Sequence, residues 1–198
     1  MRKNDYDGNM IVIEGVDGAG TTTQARRLAS KTSKYYTFEN TNGLVGRKVD
    51  EMIKDGSYSA ETVALGFACD RYLHLEEEVI PKLEKGIDVV MDRYYHSSLV
   101  YQSLAGADYG WVKGLHKEAP KPDLTIILDV DLDTVLERIE KRDGLGNNIF
   151  EKKRFLKKVI NGYKSLEVKI EEEMVYVDAS RSKEKVFQDV YKVVRERF

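Results

Sequence analysis

Gly15-Val16-Asp17-Gly18-Ala19-Gly20-Thr21-Thr22 places two glycines five residues apart, a hydroxyl two residues after the second, and an apolar run, Met10 to Ile13, ahead of both. Glycines at that spacing let consecutive backbone N–H groups converge on an anion. A helix starting at Thr21-Thr22-Thr23-Gln24 adds the positive end of its dipole. The segment fits the phosphate-loop pattern G-x-x-x-x-G-K-[ST] except at one position, where Thr21 replaces the lysine. In this reading the N–H groups of Gly18 to Thr22 hold the phosphates of a donor nucleotide and the Thr22 hydroxyl ligates Mg²⁺. The plainer alternative is a glycine-rich turn that only joins a strand to a helix.

Three further groups carry chemistry. Asp92 ends an apolar run and stands where phosphate-loop proteins place a carboxylate near the magnesium or the attacking oxygen, with the Arg93 fork beside it for a phosphate. A strand-ending Asp satisfied by backbone N–H groups is the structural alternative. Phe67 and Arg71 fall on the apolar stripe Val63, Phe67, Leu75, Val79, so Arg71 interrupts a face that should be buried. A guanidinium there needs a partner, either a carboxylate or a ligand, and Phe67 one turn earlier can stack on a planar base. Asp143 to Asn148, with Arg138 and Arg142 on its entry helix, has the composition of a small lid, or of a solvated helix end.

The elements that must position these groups alternate along the chain. Strands are expected at Met10–Ile13, Tyr35–Phe38, Ile87–Met91, Leu124–Val130 and Met174–Val177, with helical patterns between them. The longest helical pattern runs from Ala60 to Lys85, with a kink expected at Pro81. Short apolar strands separated by helices imply a doubly wound α/β domain with a five-stranded parallel sheet, whose ligands bind at the carboxyl ends of the strands. One domain over 1–198 is expected, with the lid at about 142–150. A net charge of −2 gives no support to a nucleic-acid backbone binder. The single cysteine excludes an intrachain disulfide and a thiolate zinc site. His74, His96 and His116 lack metal-ligand spacing and read as ordinary surface or core histidines. No signal-peptide core or membrane-length apolar run is present, so a cytoplasmic protein is the default expectation. No N/T-K-x-D segment marks a guanine site.

The chain resembles the thymidylate kinases over nearly its whole length. The resemblance is carried by IVIEGVDGAG with TTQARRLA, FACDRYLHLEEEVIPKLEKG, DRYYHSSLVYQ, PDLTIILDVD, Phe150-Glu151, Gly162-Tyr163 and VDAS. It implies a nucleoside-monophosphate kinase fold with strand order 2-3-1-4-5. It also implies transfer of the ATP γ-phosphoryl to dTMP with Mg²⁺, and usually a homodimer. By the same resemblance Asp17 reaches the acceptor nucleotide, Phe67 stacks on thymine and Arg71 bonds its edge. Arg93 holds the acceptor phosphate and Asp92 lies near the magnesium. Ser98 and Gln102 sit beside the base, Tyr101 crowds the 2′ position, and Phe38 lines the same pocket. Ala179 and Ser180 sit by the donor's adenine.

The chain departs from the family's pattern at Asn40-Thr41-Asn42-Gly43, where Pro-Gly-Gly-Thr is common after Glu39, and at Asn148-Ile149 before Phe150-Glu151. Thr21 is the larger departure. Three readings stay open: an arginine, Arg142 being the best placed, supplies the missing charge; the site binds nucleotides but turns over slowly; or the protein binds without catalysis. A kinase of another pyrimidine monophosphate is the nearest enzymatic rival.

Overall fold

The computed structural model describes residues 1–143 and 149–198, the side chains of 143, 149 and 150 excepted. Its centre is β1, Met10–Gly15, six residues all buried. Met10–Ile13 of β1 are apolar on both faces because the strand is paired on both edges and covered on both sides. β3 (Val89–Asp92) lies beside it in register Ile13 to Asp92, and β4 (Leu124–Asp129) on the other side in register Gly15 to Leu128. β2 (Tyr35–Phe38) and β5 (Met174–Asp178) form the edges, giving the parallel order β2-β3-β1-β4-β5 that the resemblance implies. Parallel pairing puts the carboxyl ends of all five strands, including Gly15, Phe38 and Asp92, along one rim of the sheet.

Helices α1 (Thr21–Thr32), α2 (Leu44–Asp55) and α3 (Ala60–His74) cover the first half of the chain. α4 (Ile80–Leu83), α5 (Tyr95–Leu104), α6 (Tyr109–Leu115), α7 (Leu132–Asp143), α8 (Ile149–Lys164) and α9 (Lys183–Arg195) follow. Their ends match local chemistry. Ser59, Asp108 and Ser182 cap α3, α6 and α9 with side-chain oxygens, and Gly56 closes α2 at φ 72°. The Asp108 cap starts α6 at Tyr109 by accepting the Trp111 N–H.

The long pattern from Ala60 to Lys85 does not stay α-helical. Leu75–Val79 forms a π-helical turn, and the Ile80 N–H reaches back to the Leu75 carbonyl. Pro81 has no N–H to give and its ring crowds the carbonyl four residues back, so the helix widens before it and restarts as α4. β3 begins at Val89, two residues later than the apolar run suggests. Asp88 is occupied instead by the Asn9 backbone N–H (2.8 Å) and by the Lys34 ammonium. His74, His96 and His116 are all buried, at 5%, 0% and 0% exposure, so none is a surface residue. The expected lid lies mostly outside the described residues: 144–148 wholly, with only the backbone known at 143, 149 and 150.

Candidate active site

The phosphate loop is shaped by its glycines. Gly18 and Gly20 take φ 86° and 99°, which L side chains rarely adopt. At Gly18 space is short as well, since a Cβ would lie 3.3 Å from the Val135 carbonyl oxygen and from Ile139. The Ala19 N–H bonds the Val16 carbonyl (2.9 Å), closing the turn that leads into α1. Thr22 donates its hydroxyl to Asp92 Oδ2 at 2.5 Å, so the two expected metal ligands meet across the rim. Asp92 is buried, and its Oδ1 has no hydrogen-bond partner among the described residues. One hydroxyl and one carboxylate oxygen, the latter unsatisfied, fit Mg²⁺, which keeps several waters and takes few protein ligands.

A cavity of about 690 Å³ opens over this loop, lined by Asp17 to Gln24 and Ala179 and by Arg93, Arg138, Lys141, Arg142, Arg181 and Lys183. Thr21 faces it while almost buried. The positive charge absent from position 21 is thus present elsewhere in the lining of the same cavity. Arg138 serves structurally: it donates to the carbonyls of Gly18 and Ala19 (3.3 Å each) and to that of Ala179 (2.8 Å). It ties the phosphate loop to the turn after β5. Ser180, Gly15 and Val16 do not line the cavity; Ser180 accepts the Asp131 N–H at 3.3 Å.

A second cavity of about 440 Å³ brings together Asp17, Phe67, Arg71, Arg93, Ser98, Tyr101 and Gln102. Phe38 is not among them. It lines a neighbouring cavity with Tyr36, their rings stacked at 6.1 Å. Val63, Phe67 and Arg71 wall the second cavity, and of these only Arg71 belongs to the buried side of α3, with Ala64, Ala68, Asp70 and His74.

Arg71, only 1% exposed, has the carboxylate partner its position demands: its Nε and Nη2 both lie 2.7 Å from Glu39 Oε2. Nη2 also donates to Ser98 Oγ (3.2 Å), and Nη1 lies 3.0 Å from a ring nitrogen of His116. Burial and the Arg71 charge push His116 down to about 2, so it remains a neutral acceptor. Burial alone would raise Glu39, but Arg71 and His74 outweigh it and hold the carboxyl below its usual range. Arg71 thus has both a structural partner and a place in the cavity wall.

Arg93 sits at the junction of the two cavities, and both are lined by it and by Asp17. It leaves β3 at φ 71°, a left-handed conformation costly for an arginine and of the kind held at functional sites. One end of its guanidinium bonds Asp17 Oδ1 (2.6 Å), and the other bonds Ser97 Oγ (3.0 Å) and Tyr163 OH (3.4 Å). Burial works against its charge, yet Tyr163, Tyr101, Asp17 and Glu14 keep the proton bound more tightly than usual. Tyr101 accepts the Asp17 N–H at 3.2 Å, and burial pushes its phenol up to about 12.

Sequence reasoning missed Glu14, Glu39, His116, Phe155 and Tyr163 as parts of this site. Glu14 is 0% exposed and receives the Tyr94 and Ser97 N–H groups (2.7 and 3.1 Å) and the hydroxyls of Ser97 and Tyr163 (2.7 and 2.8 Å). A carboxylate inside the apolar strand MIVIEG was the available signal, because a buried charge requires such a set of donors. Phe155 has the spacing of a core residue but is 40% exposed and lines the second cavity near Tyr101.

The family model for thymidylate kinase matches residues 13–190. This chain belongs to the thymidylate kinase family. A protein of Methanocaldococcus jannaschii named "Probable thymidylate kinase" is 40% identical to it over 186 residues, covering 93% of this chain and 94% of that one. Proteins of the same name from Staphylothermus marinus and Pyrobaculum aerophilum are each 39% identical, covering 98% of both chains in the first case and 93% and 95% in the second. Membership makes the chain a kinase, a nucleotide-dependent phosphotransferase. Among the described residues no helix is long and apolar enough to cross a membrane.

Proposed function

We propose that this thymidylate kinase transfers the γ-phosphoryl group of ATP to dTMP, giving dTDP and ADP. The observation that carries the reading is the junction at Arg93 and Asp17: an anion-binding cavity and an aromatic-walled cavity open onto the same guanidinium. ATP lies with its phosphates on the N–H groups of Gly18 to Thr22 and its adenine toward Ala179 and Ser180. In the second cavity Phe67 stacks on thymine, and Arg71, Ser98 and Gln102 bond its edge. Tyr101 crowds the 2′ carbon and favours deoxyribose, and Arg93 holds the acceptor phosphate in line with the donor. Thr22 and Asp92 hold Mg²⁺, which supplies charge neutralisation to the transferring phosphoryl group. Arg142, on the donor-cavity wall, brings the cation that Thr21 lacks. Catalysis here is positioning plus electrostatics, so a cation from another element can serve where a loop lysine is missing. A cytoplasmic homodimer completes the reading; Leu65 and Leu73, 51% and 40% exposed on α3, offer apolar surface for a partner copy.

A coupled ADP-release assay over dTMP, dUMP, UMP and dCMP tests the substrate. The expected result is the highest kcat/KM for dTMP, with discrimination against UMP lost in Tyr101→Ala. Preference for another pyrimidine monophosphate would replace the assignment.

A further inference from the structure

We propose that Tyr163 and Ser97, polarised by the buried Glu14 carboxylate, are positioning residues that set Arg93 for the acceptor phosphate; the inference rests on the dTMP reading above. Arg93 Nη1 is held by two hydroxyl oxygens, Ser97 Oγ at 3.0 Å and Tyr163 OH at 3.4 Å. A hydroxyl has one proton to give. Both lie within donating distance of the same atom, Glu14 Oε2, at 2.7 and 2.8 Å, and 2.9 Å from each other. With the protons drawn toward Glu14, the lone pairs of both oxygens turn to the guanidinium. The carboxylate thereby fixes the side chain of Arg93 without touching it.

The geometry separates two jobs within one guanidinium. Nη2 bonds Asp17 at 2.6 Å, a half-exposed carboxylate that an acceptor phosphate can replace, whereas Nη1 is held by the buried Tyr163 and by Ser97, which is part-buried in the wall of the second cavity. Glu14 is 0% and Tyr163 3% exposed. Arg93 therefore keeps its aim when its outer partner changes, which preorganises it for a phosphate. Tyr163 also brings α8 into the arrangement, since Phe155 two turns earlier walls the acceptor cavity.

Glu14→Gln is the less useful probe, because Glu14 also fixes the start of α5 through the N–H groups of Tyr94 and Ser97. Tyr163→Phe and Ser97→Ala each remove one oxygen and leave Glu14 in place. Tyr176→Phe is the control: its hydroxyl bonds the Tyr163 carbonyl (3.1 Å) and does not face Arg93.

Calorimetric titration of the full chain with dTMP and with thymidine separates the phosphate contact from the base contacts. Tyr163→Phe and Ser97→Ala are expected to weaken dTMP binding by about tenfold each, the typical cost of one hydrogen bond to a charged group. Thymidine binding stays within about twofold of wild type, and Tyr176→Phe changes neither. Equal losses for dTMP and thymidine, or no loss for either, would overturn the positioning role. A wild type that binds dTMP no better than thymidine would overturn the reading of Arg93 itself, and the inference with it.

Discussion

Replacing Glu39 by glutamine removes the charge that allows Arg71 to be buried. The two side chains are 4% and 1% exposed and 2.7 Å apart, and among the other partners of Arg71 neither Ser98 nor the neutral His116 carries a negative charge. Breaking a buried pair by removing one partner costs about 3–5 kcal/mol, since an uncompensated charge remains. The glutamine carbonyl still accepts one hydrogen bond from Arg71, returning about 1 kcal/mol. The expected loss is therefore about 2–4 kcal/mol, read as a lower urea midpoint at pH 7. Acid gives an independent arm. Glu39 ionises below its ordinary value of 4.5 in the folded protein, because Arg71 and His74 outweigh its burial. Its stabilisation is thus fully present above that value and is lost as pH falls through the lower folded one. Glu39→Gln should flatten the acid limb of the stability profile. The same variant should raise the KM for dTMP, because the re-aimed Arg71 lines the acceptor cavity. Wild-type stability at pH 7 together with an unchanged acid limb would refute the argument.

Other tests address separate parts of the site. His74 is raised above 6.5 because Glu39 and Glu78 outweigh its burial, so its contribution is present below 6.5 and lost as pH rises through the folded value. His74→Gln should flatten unfolding midpoints measured across that alkaline limb. Asp92→Asn removes the charge beside Thr22 and should raise the Mg²⁺ concentration for half-maximal rate by roughly tenfold or more, read by magnesium titration at saturating nucleotides. Arg142→Ala should lower kcat by roughly 10²-fold, the cost of one aimed donor, while Thr21→Lys changes it by less than about tenfold. Steady-state kinetics checks both, and an unchanged rate in Arg142→Ala ends its assignment.

What was legible in the chain is what local rules determine. The phosphate loop, β1 and the Asp92-Arg93 strand end are each written in consecutive residues, and the sheet order followed from the resemblance they carry. The demand for a partner at Arg71 was legible too, but its identity was not. Glu39 lies just after β2, 32 residues before Arg71, and only the tertiary fold brings it within 2.7 Å. Glu14 shows the same limit from the other side, because its four donors come from α5, α8 and the turn after β3. Phe155 shows where spacing misleads. Strand alternation and helical period give a face, and tertiary packing decides which cavity that face meets. The π-helical turn before Pro81 came from a conflict that sequence shows as a kink without showing how it is relieved.

A phosphate loop carrying Thr21 in place of lysine is proposed here to transfer phosphate to dTMP. A single-turnover experiment with enzyme in excess over ATP, in the presence of dTMP and Mg²⁺, measures this directly by chromatography of the products. The expected products are dTDP and ADP in equal amounts, with the rate reduced in Arg142→Ala. Tight binding of dTMP and ATP with no dTDP formed would contradict the proposal and leave a nucleotide-binding protein without this chemistry.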